Sequence, residues 1–435
     1  MAKNVFAGVG IARGDAKDSA EVGAKAVELA VQNMKRQGGK LPGSFGLLFC
    51  SIKYDLKKLV EAAHKAFGGT PWVGCTTAGE ISNYGFSQGS CVAMIVSSDY
   101  IHAGTGIGKD VENKPENAGK SAVSQALKKL KIDKEIDAYV TYLATKKRVI
   151  DELIKINPYY VLMLPQGPLT KSKKYGQEGL IMKGISSVVG KFVPILGGAA
   201  GDDLNMVQSF QFIDGEVHKD SVVTLFLATD VHIGISLEHG YEPTEKFFLV
   251  TKADGRLIQE LNHKPALEEY CRAIGVKPEE FKKQPLIYCG KWILGVPDGT
   301  GNYWSVVAGG VVGNSLHAGA TIQKNTMLCL LKSNDKKVLE AAKDSVENAI
   351  KDANGKDIVA TIVFDCCIRW MNLREKVGTE INMLQKSIGK DKPLIGFYTY
   401  GEQGARYGGA YCGHFNASTS SMVITDDLFS KSGEK

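Results

Sequence analysis

The sequence predicts a mixed α/β protein of the α+β kind, with two domains of mixed sheets and packed helices. Three observations carry this. Apolar runs of strand length alternate with segments of helical period. One unit, strand–helix–strand–hairpin, recurs along the chain. Three strands also end alike, in small residues, a glycine and a carboxylate. They are Trp72-Val-Gly-Cys-Thr-Thr-Ala-Gly79-Glu80, Pro194-Ile-Leu-Gly-Gly-Ala-Ala-Gly201-Asp202 and Leu394-Ile-Gly-Phe-Tyr398-Thr-Tyr400-Gly401-Glu402. A length of 435 residues is too great for one core.

The elements follow in order. Residues 5–12 read as a strand. Val22, Ala26, Val27, Leu29, Ala30 and Met34 then recur at helical spacing. Residues 45–50 form a buried strand. Leu56, Leu59, Val60, Ala63 and Phe67 define a helix closed by Gly68-Gly69. After the first glycine stretch, strands at 91–97 and 101–108 are expected to pair as a hairpin. A helix at 119–130 and strands at 139–143 and 159–165 follow, then a helix at 178–189. After the second glycine stretch come strands at 209–213, 221–228 and 232–237, with the turn Asp214-Gly215 joining the first two.

Gly240-Tyr-Glu-Pro-Thr244 is the expected boundary between domains 1–240 and 245–425. Beyond it lie a hairpin at 247–261, a helix at 265–274 and strands at 285–289 and 291–296. A turn-rich hairpin at 298–313, a strand at 326–331 and a helix at 339–350 come next. The third glycine stretch is framed by a strand at 361–366, a helix at 374–388 and a strand at 420–425. The polar tail 426–435 is expected to fray. The repeated units are thus 45–97, 160–228 and 361–423, giving sheets with helices on one face and hairpins on the edges.

Composition is that of a globular protein, with 44% hydrophobic and 23% charged residues. The net charge of +6 is spread along the chain, without the basic face and stacking aromatics of a nucleic-acid binder. The longest apolar run, near 222–228, is too short for a membrane span. The start turns polar by Arg13, so no signal-peptide core is expected. Nine cysteines, several inside apolar runs, fit a reducing cytoplasm.

Several residue groups can carry chemistry. Gly79-Glu80, Gly201-Asp202 and Gly401-Glu402 can bring ligand and backbone close, with an acid for an ammonium group. Equally, each is a tight turn whose carboxylate accepts backbone N–H bonds. Arg369, at the end of an apolar strand, can clamp a ligand carboxylate or pair internally with one of those acids. On the first reading, Arg369→Ala removes ligand-induced stabilisation and spares the fold. Cys366 beside it is a candidate thiolate, which makes a thiol-dependent enzyme an alternative function. Tyr398 and Tyr400 share one strand face and can contact a ligand or pack in the core. Cys412-Gly-His414 is a candidate haem or metal feature, His414 being the ligand. No zinc motif or phosphate loop is present, and Gly8-Val-Gly10 and Gly104-Thr-Gly-Ile-Gly108 lack the spacing of a dinucleotide site.

The succession of these stretches resembles the FIST family, with its N-terminal and C-terminal domains. The resemblance rests on Gly74 to Glu80, Gly197 to Asp202, Val250 to Asn262, Cys366-x-x-Arg369 and Gly396 to Glu402, and runs to about Ile424. It implies an intracellular sensory module for a small ligand, amino acids among the proposed classes, and no catalysis. One branch of the family binds haem and senses nitric oxide, so haem is the alternative cofactor to none. Little of the chain lies outside the two domains, so signalling implies a separate partner protein. Asn416, in Asn416-Ala-Ser-Thr419, matches the family's late polar strand only loosely and joins the ligand-binding candidates.

Overall fold

The computed structural model describes residues 3–131, 159–172, 174–299, 301–354, 357–406 and 411–428. The strand expected at 139–143 lies outside them. The first unit runs β1 (Val5–Arg13), α1 (Ser19–Lys35), β2 (Phe45–Cys50), α2 (Leu56–Ala66) and β3 (Trp72–Thr76). A hairpin of β4 (Glu80–Ser82) and β5 (Gly85–Ser87) and then β6 (Ser90–Ser98) complete it. The second runs β7 (Ile101–Lys109), α3 (Pro115–Leu130), β8 (Tyr159–Pro165), α4 (Glu178–Val189) and β9 (Ile195–Gly198). Its hairpin is β10 (Gln211–Ile213) and β11 (Glu216–His218), closed by β12 (Ser221–Thr229).

The third unit opens with β13 (Val231–Glu238) and is then interrupted by an inserted module. The module holds β14 (Glu242–Asp254), β15 (Leu257–Leu261), β16 (Lys264–Pro265), α5 (Ala266–Ile274), α6 (Pro278–Lys283) and α7 (Pro285–Cys289). Strands β17 (Trp292–Pro297), β18 (Tyr303–Val306), β19 (Gly310–Val312), β20 (Ser315–His317) and β21 (Met327–Lys332) complete its sheet. The unit resumes with α8 (Asp335–Ala353), β22 (Ile358–Cys366), α9 (Cys367–Leu373), α10 (Val377–Ile388) and β23 (Leu394–Thr399). It ends with β24 (Glu402–Gly404), β25 (Gly413–Phe415) and β26 (Thr419–Leu428).

Each unit forms a sheet on one plan. Two strands flanking the second helix run parallel, as β2–β3, β8–β9 and β22–β23 do. The closing strand lies antiparallel between the first of these and the opening strand, as β6 does between β2 and β1. The hairpins do not stay home. β4 of the first unit pairs with β23 of the third, β10 of the second with β3 of the first, and β24 of the third with β9 of the second. The exchange closes a ring of three sheets. Their inner faces share one core, which includes Phe49, Leu162, Phe364 and Phe397. Helices cover the outer faces.

The glycines of the opening strands have a packing reason. A Cβ at Gly8, Gly106 or Gly234 would stand 2.0, 1.9 or 2.0 Å from the carbonyl oxygen of Ala30, Ala122 or Ala349. Strand and helix backbones therefore touch, with glycine on one side and alanine on the other. Side chains of the same helices also cap the open strand edge. Asn33 and Gln37 donate to the Val9 and Ala7 carbonyls, and Gln125 bonds Ile107. Capping of this kind blunts an edge that would otherwise template other strands.

Six expectations change. Asp214-Gly215 turns β10 into the short β11, not into the strand at 221–228. Residues 298–313 do not form one hairpin, because β18 pairs back with β17 and β19 pairs forward with β20. β7 does not pair with β6, whose two edges are taken by β1 and β2; it pairs with β12. Residues 285–289 are helical, because Pro285 suits a helix start and Gly290 follows the end. Residues 426–428 do not fray but continue β26, where the Asp426 carboxylate accepts the N–H groups of Asn4 (2.8 Å) and Val5 (2.6 Å). Finally, α9 lies between β22 and α10, so Arg369 sits in a helix rather than at a strand end.

Candidate functional site

The three glycine stretches meet. Ala78 N–H donates to the Tyr398 carbonyl and Tyr398 N–H to that of Gly79 (3.0 and 2.8 Å). Gly201 N–H donates to Thr76 and Asp203 N–H to Thr77 (3.0 and 2.9 Å). Ala199 N–H donates to Gly401 and Tyr400 N–H to Ala199 (2.8 and 3.0 Å). Each stretch thus bonds both others at the hub of the ring.

Their acids are fully or almost fully buried. Glu80 accepts from Thr77 Oγ1 (2.5 Å) and from Ser90 N and Oγ (2.9 and 2.7 Å). Glu402 repeats the arrangement with Thr399 Oγ1 and with Ser418 N and Oγ (3.1 and 2.8 Å). Burial raises both carboxyls, Glu80 to about 7. Asp202, with Ala199 where the others have threonine, instead accepts Met206, Val207 and Gln208 N–H (2.7, 2.7 and 2.9 Å) and the Tyr400 hydroxyl. Each carboxylate ties its own hairpin or loop to the hub.

Arg369 is wholly buried. Its Nε donates to Asp365 (2.6 Å) and its Nη2 to Glu380 (2.6 Å) and the Val338 carbonyl (2.8 Å). Glu380 also takes the Tyr398 hydroxyl (2.7 Å). Burial opposes the guanidinium charge, but Asp365 and Glu380 outweigh it and hold the pKa above its ordinary value. The partners of Arg369 are therefore internal acids, and they are not the glycine-turn acids. Cys366 is buried and its thiol is pushed well up by desolvation, against the lowering expected from Arg369.

Gly401, His414 and Asn416 do come together. A Cβ at Gly401 would lie 2.6 Å from His414 Cε1 and 3.3 Å from Asn416 Nδ2. His414 has Gln403 on Nδ1 and the Gly319 carbonyl on Nε2 (both 3.1 Å), so both ring nitrogens are engaged. Burial lowers its pKa, keeping the ring neutral. Asn416 braces the inserted module by accepting Val307 N–H (3.3 Å) and the Ser305 hydroxyl (2.6 Å).

A cleft of about 270 Å³ opens where β13, α8 and the β17–β18 turn converge. Glu238, His239, Lys337, Asp344 and Arg406 are on its walls. Arg406 Nη2 donates to Glu238 (2.9 Å). His239 Nδ1 accepts Tyr241 N–H (3.0 Å), so the neutral ring donates from Nε2 to the Tyr303 carbonyl (3.2 Å). Burial first, then Arg406, lowers this histidine to about 3. A ring nitrogen that donates cannot also accept from Arg406 Nη1, 3.1 Å away. Lys337 is paired with Glu242 (3.0 Å), whereas Asp344 has no ion pair among the described residues. None of these residues was singled out by sequence reasoning. The one signal was an arginine four residues beyond Glu402.

Hub and cleft together define a protein of three sheets locked by exchanged hairpins, with a cleft beside the inserted module. The FIST N domain matches residues 44–264 and the FIST C domain residues 266–405, and the chain belongs to the FIST family. FIST domains are associated with sensory signal transduction and small-ligand binding. The chain is similar to Uncharacterized protein MJ1623 of Methanocaldococcus jannaschii, 27% identical over 238 residues. That match spans 48% of this chain and 45% of the relative, less than half its length. Among solved structures, cyanuric acid hydrolase from A. caulinodans aligns with 52% of this chain and 71% of its own, at 10% identity and a TM-score of 0.25. PurLQS from Thermotoga maritima aligns with 97% of this chain and 74% of its own, at 9% identity and a TM-score of 0.19. Scores this low carry no argument. No helix among the described residues is long and apolar enough to cross a membrane.

Proposed function

We propose that this chain is an intracellular sensor of a small zwitterionic metabolite, an amino acid being the class that fits. The ligand sits in the Arg406 cleft, and a separate signalling protein reads the occupied state. The supporting observation is Arg406 on the cleft wall, its Nη2 held by Glu238 and its Nη1 beside the His239 ring; a guanidinium there suits a ligand carboxylate. Asp344, on the same wall without an ion pair, suits the ammonium group. A cleft of about 270 Å³ falls just below the usual range of ligand sites, about 300–1,000 Å³, and so suits a small ligand. β13, α8 and the inserted module all border it, so occupancy can shift the module against the third sheet. Neither catalysis nor a cofactor is part of this reading.

The test is thermal melting of the protein with each common amino acid in turn. At least one is expected to raise the melting temperature of the wild type and leave Arg406→Ala unmoved. If none stabilises the wild type, or Arg406→Ala responds as fully, the reading fails.

A further inference from the structure

A second cleft, of about 420 Å³ and with other lining residues, lies between α7 of the inserted module and α9. One wall is apolar. Leu286, Ile287 and Met371 line it, and Ile287 is 45% exposed. The same cleft carries polar groups, with the acids Asp335 and Glu375 among them. Asn372 Nδ2 is buried without a partner among the described residues. Lys291 and Arg374 are exposed on the rim, in no ion pair among the described residues. Lys376, the third cation, is consumed by Asp335.

Arg374 adds a second, independent observation. It follows the end of α9 with φ 52° and ψ −115°, a conformation that glycine adopts most easily. A non-glycine residue here carries strain, and such strain gathers at ligand clamps. An arginine where glycine would be more comfortable indicates that its side chain is used. Its guanidinium matches a carboxylate bidentately.

We propose that this cleft binds a small carboxylate bearing an apolar chain. The head meets Arg374 and Lys291. The chain lies along Leu286, Ile287 and Met371. The volume is within the range of small-molecule sites, about 300–1,000 Å³. The site is separate from the Arg406 cleft and does not depend on what that cleft binds.

Isothermal titration calorimetry of the whole protein with hexanoate tests it, with acetate and inorganic phosphate as controls. Hexanoate is expected to saturate, and acetate to bind far more weakly for want of the apolar chain. Arg374→Gly is expected to weaken hexanoate about tenfold, the loss of one charge-assisted contact. Its own melting temperature should equal or exceed that of the wild type, because glycine relieves the backbone. Lys291→Ala is the second variant, with a smaller loss in the same direction. Arg406→Ala should bind hexanoate unchanged. The proposal is overturned if hexanoate does not saturate, if phosphate binds and hexanoate does not, or if both rim variants bind as tightly as the wild type. It is equally overturned if Arg406→Ala abolishes the binding.

Discussion

Arg369 and Glu380 are joined at 2.6 Å inside a region closed to solvent, and Asp365 takes the same guanidinium from the other side. Removing the arginine strands two acids in the core. Breaking a buried pair in this way costs about 3–5 kcal/mol. Arg369→Ala is therefore expected to lose that much stability in urea unfolding, and any ligand response falls only as the folded population falls. A variant that unfolds at the wild-type urea concentration would show that the brace carries no weight.

Gly106 faces Ala122 so closely that a methyl group has no room, 1.9 Å from its carbonyl oxygen. Gly106→Ala must push α3 off its sheet, and overpacking of this kind costs about 1–3 kcal/mol. Gly179, by contrast, lies in the first turn of α4, and nothing lies within 4 Å of its Cβ position. Gly179→Ala should gain up to about 1 kcal/mol from helix propensity. Thermal melts of the two variants should move in opposite directions. Equal shifts would mean that the strand–helix contact is looser than this geometry.

The hairpin exchange predicts cooperativity. A fragment of residues 1–240 keeps β4–β5 but lacks β23, and keeps β9 but lacks β24. Two sheet edges would open at once. The full chain is expected to unfold in one transition, and the fragment to bind a dye for exposed apolar surface. Fragment and full chain melting alike would contradict a closed ring.

The strands, most helices and the threefold recurrence were legible because period and glycine turns are local signals. The exchange was not, because nothing in a hairpin's own sequence names a partner sheet hundreds of residues away. Gly104-Thr-Gly-Ile-Gly108 looked like a broken dinucleotide loop when read alone. Beside Ala118, Ala122 and Ala126 it is the imprint of a helix, and that pairing was visible in the sequence. Asp365 and Arg369 stand at helical i,i+4 spacing, but the apolar run 361–366 read as a strand with Arg369 at its end. The cleft drew on Glu238, Asp344 and Arg406, which only the fold assembles.

Glu80 gives the protein a pH dependence whose sign follows from its surroundings. Burial raises its carboxyl from 4.5 to about 7, although Thr77 and Ser90 donate to it. The folded state therefore holds a proton that the unfolded chain gives up above pH 4.5. The associated stability is full below that pH and is lost as pH rises through 7. A shift of this size corresponds to about 3 kcal/mol. The histidines act oppositely. His239 is lowered to about 3 and His317 to about 4, so their contribution is full above 6.5 and is lost on acidification. Comparing the wild type with Glu80→Gln isolates the first effect. The stability gap between them, followed by urea unfolding at each pH, should be widest at pH 4.5 and below, narrow as pH rises toward 7, and level off above it. A gap that stays constant, or widens, would mean that Glu80 is ionised in the folded protein and that its three donors outweigh its burial.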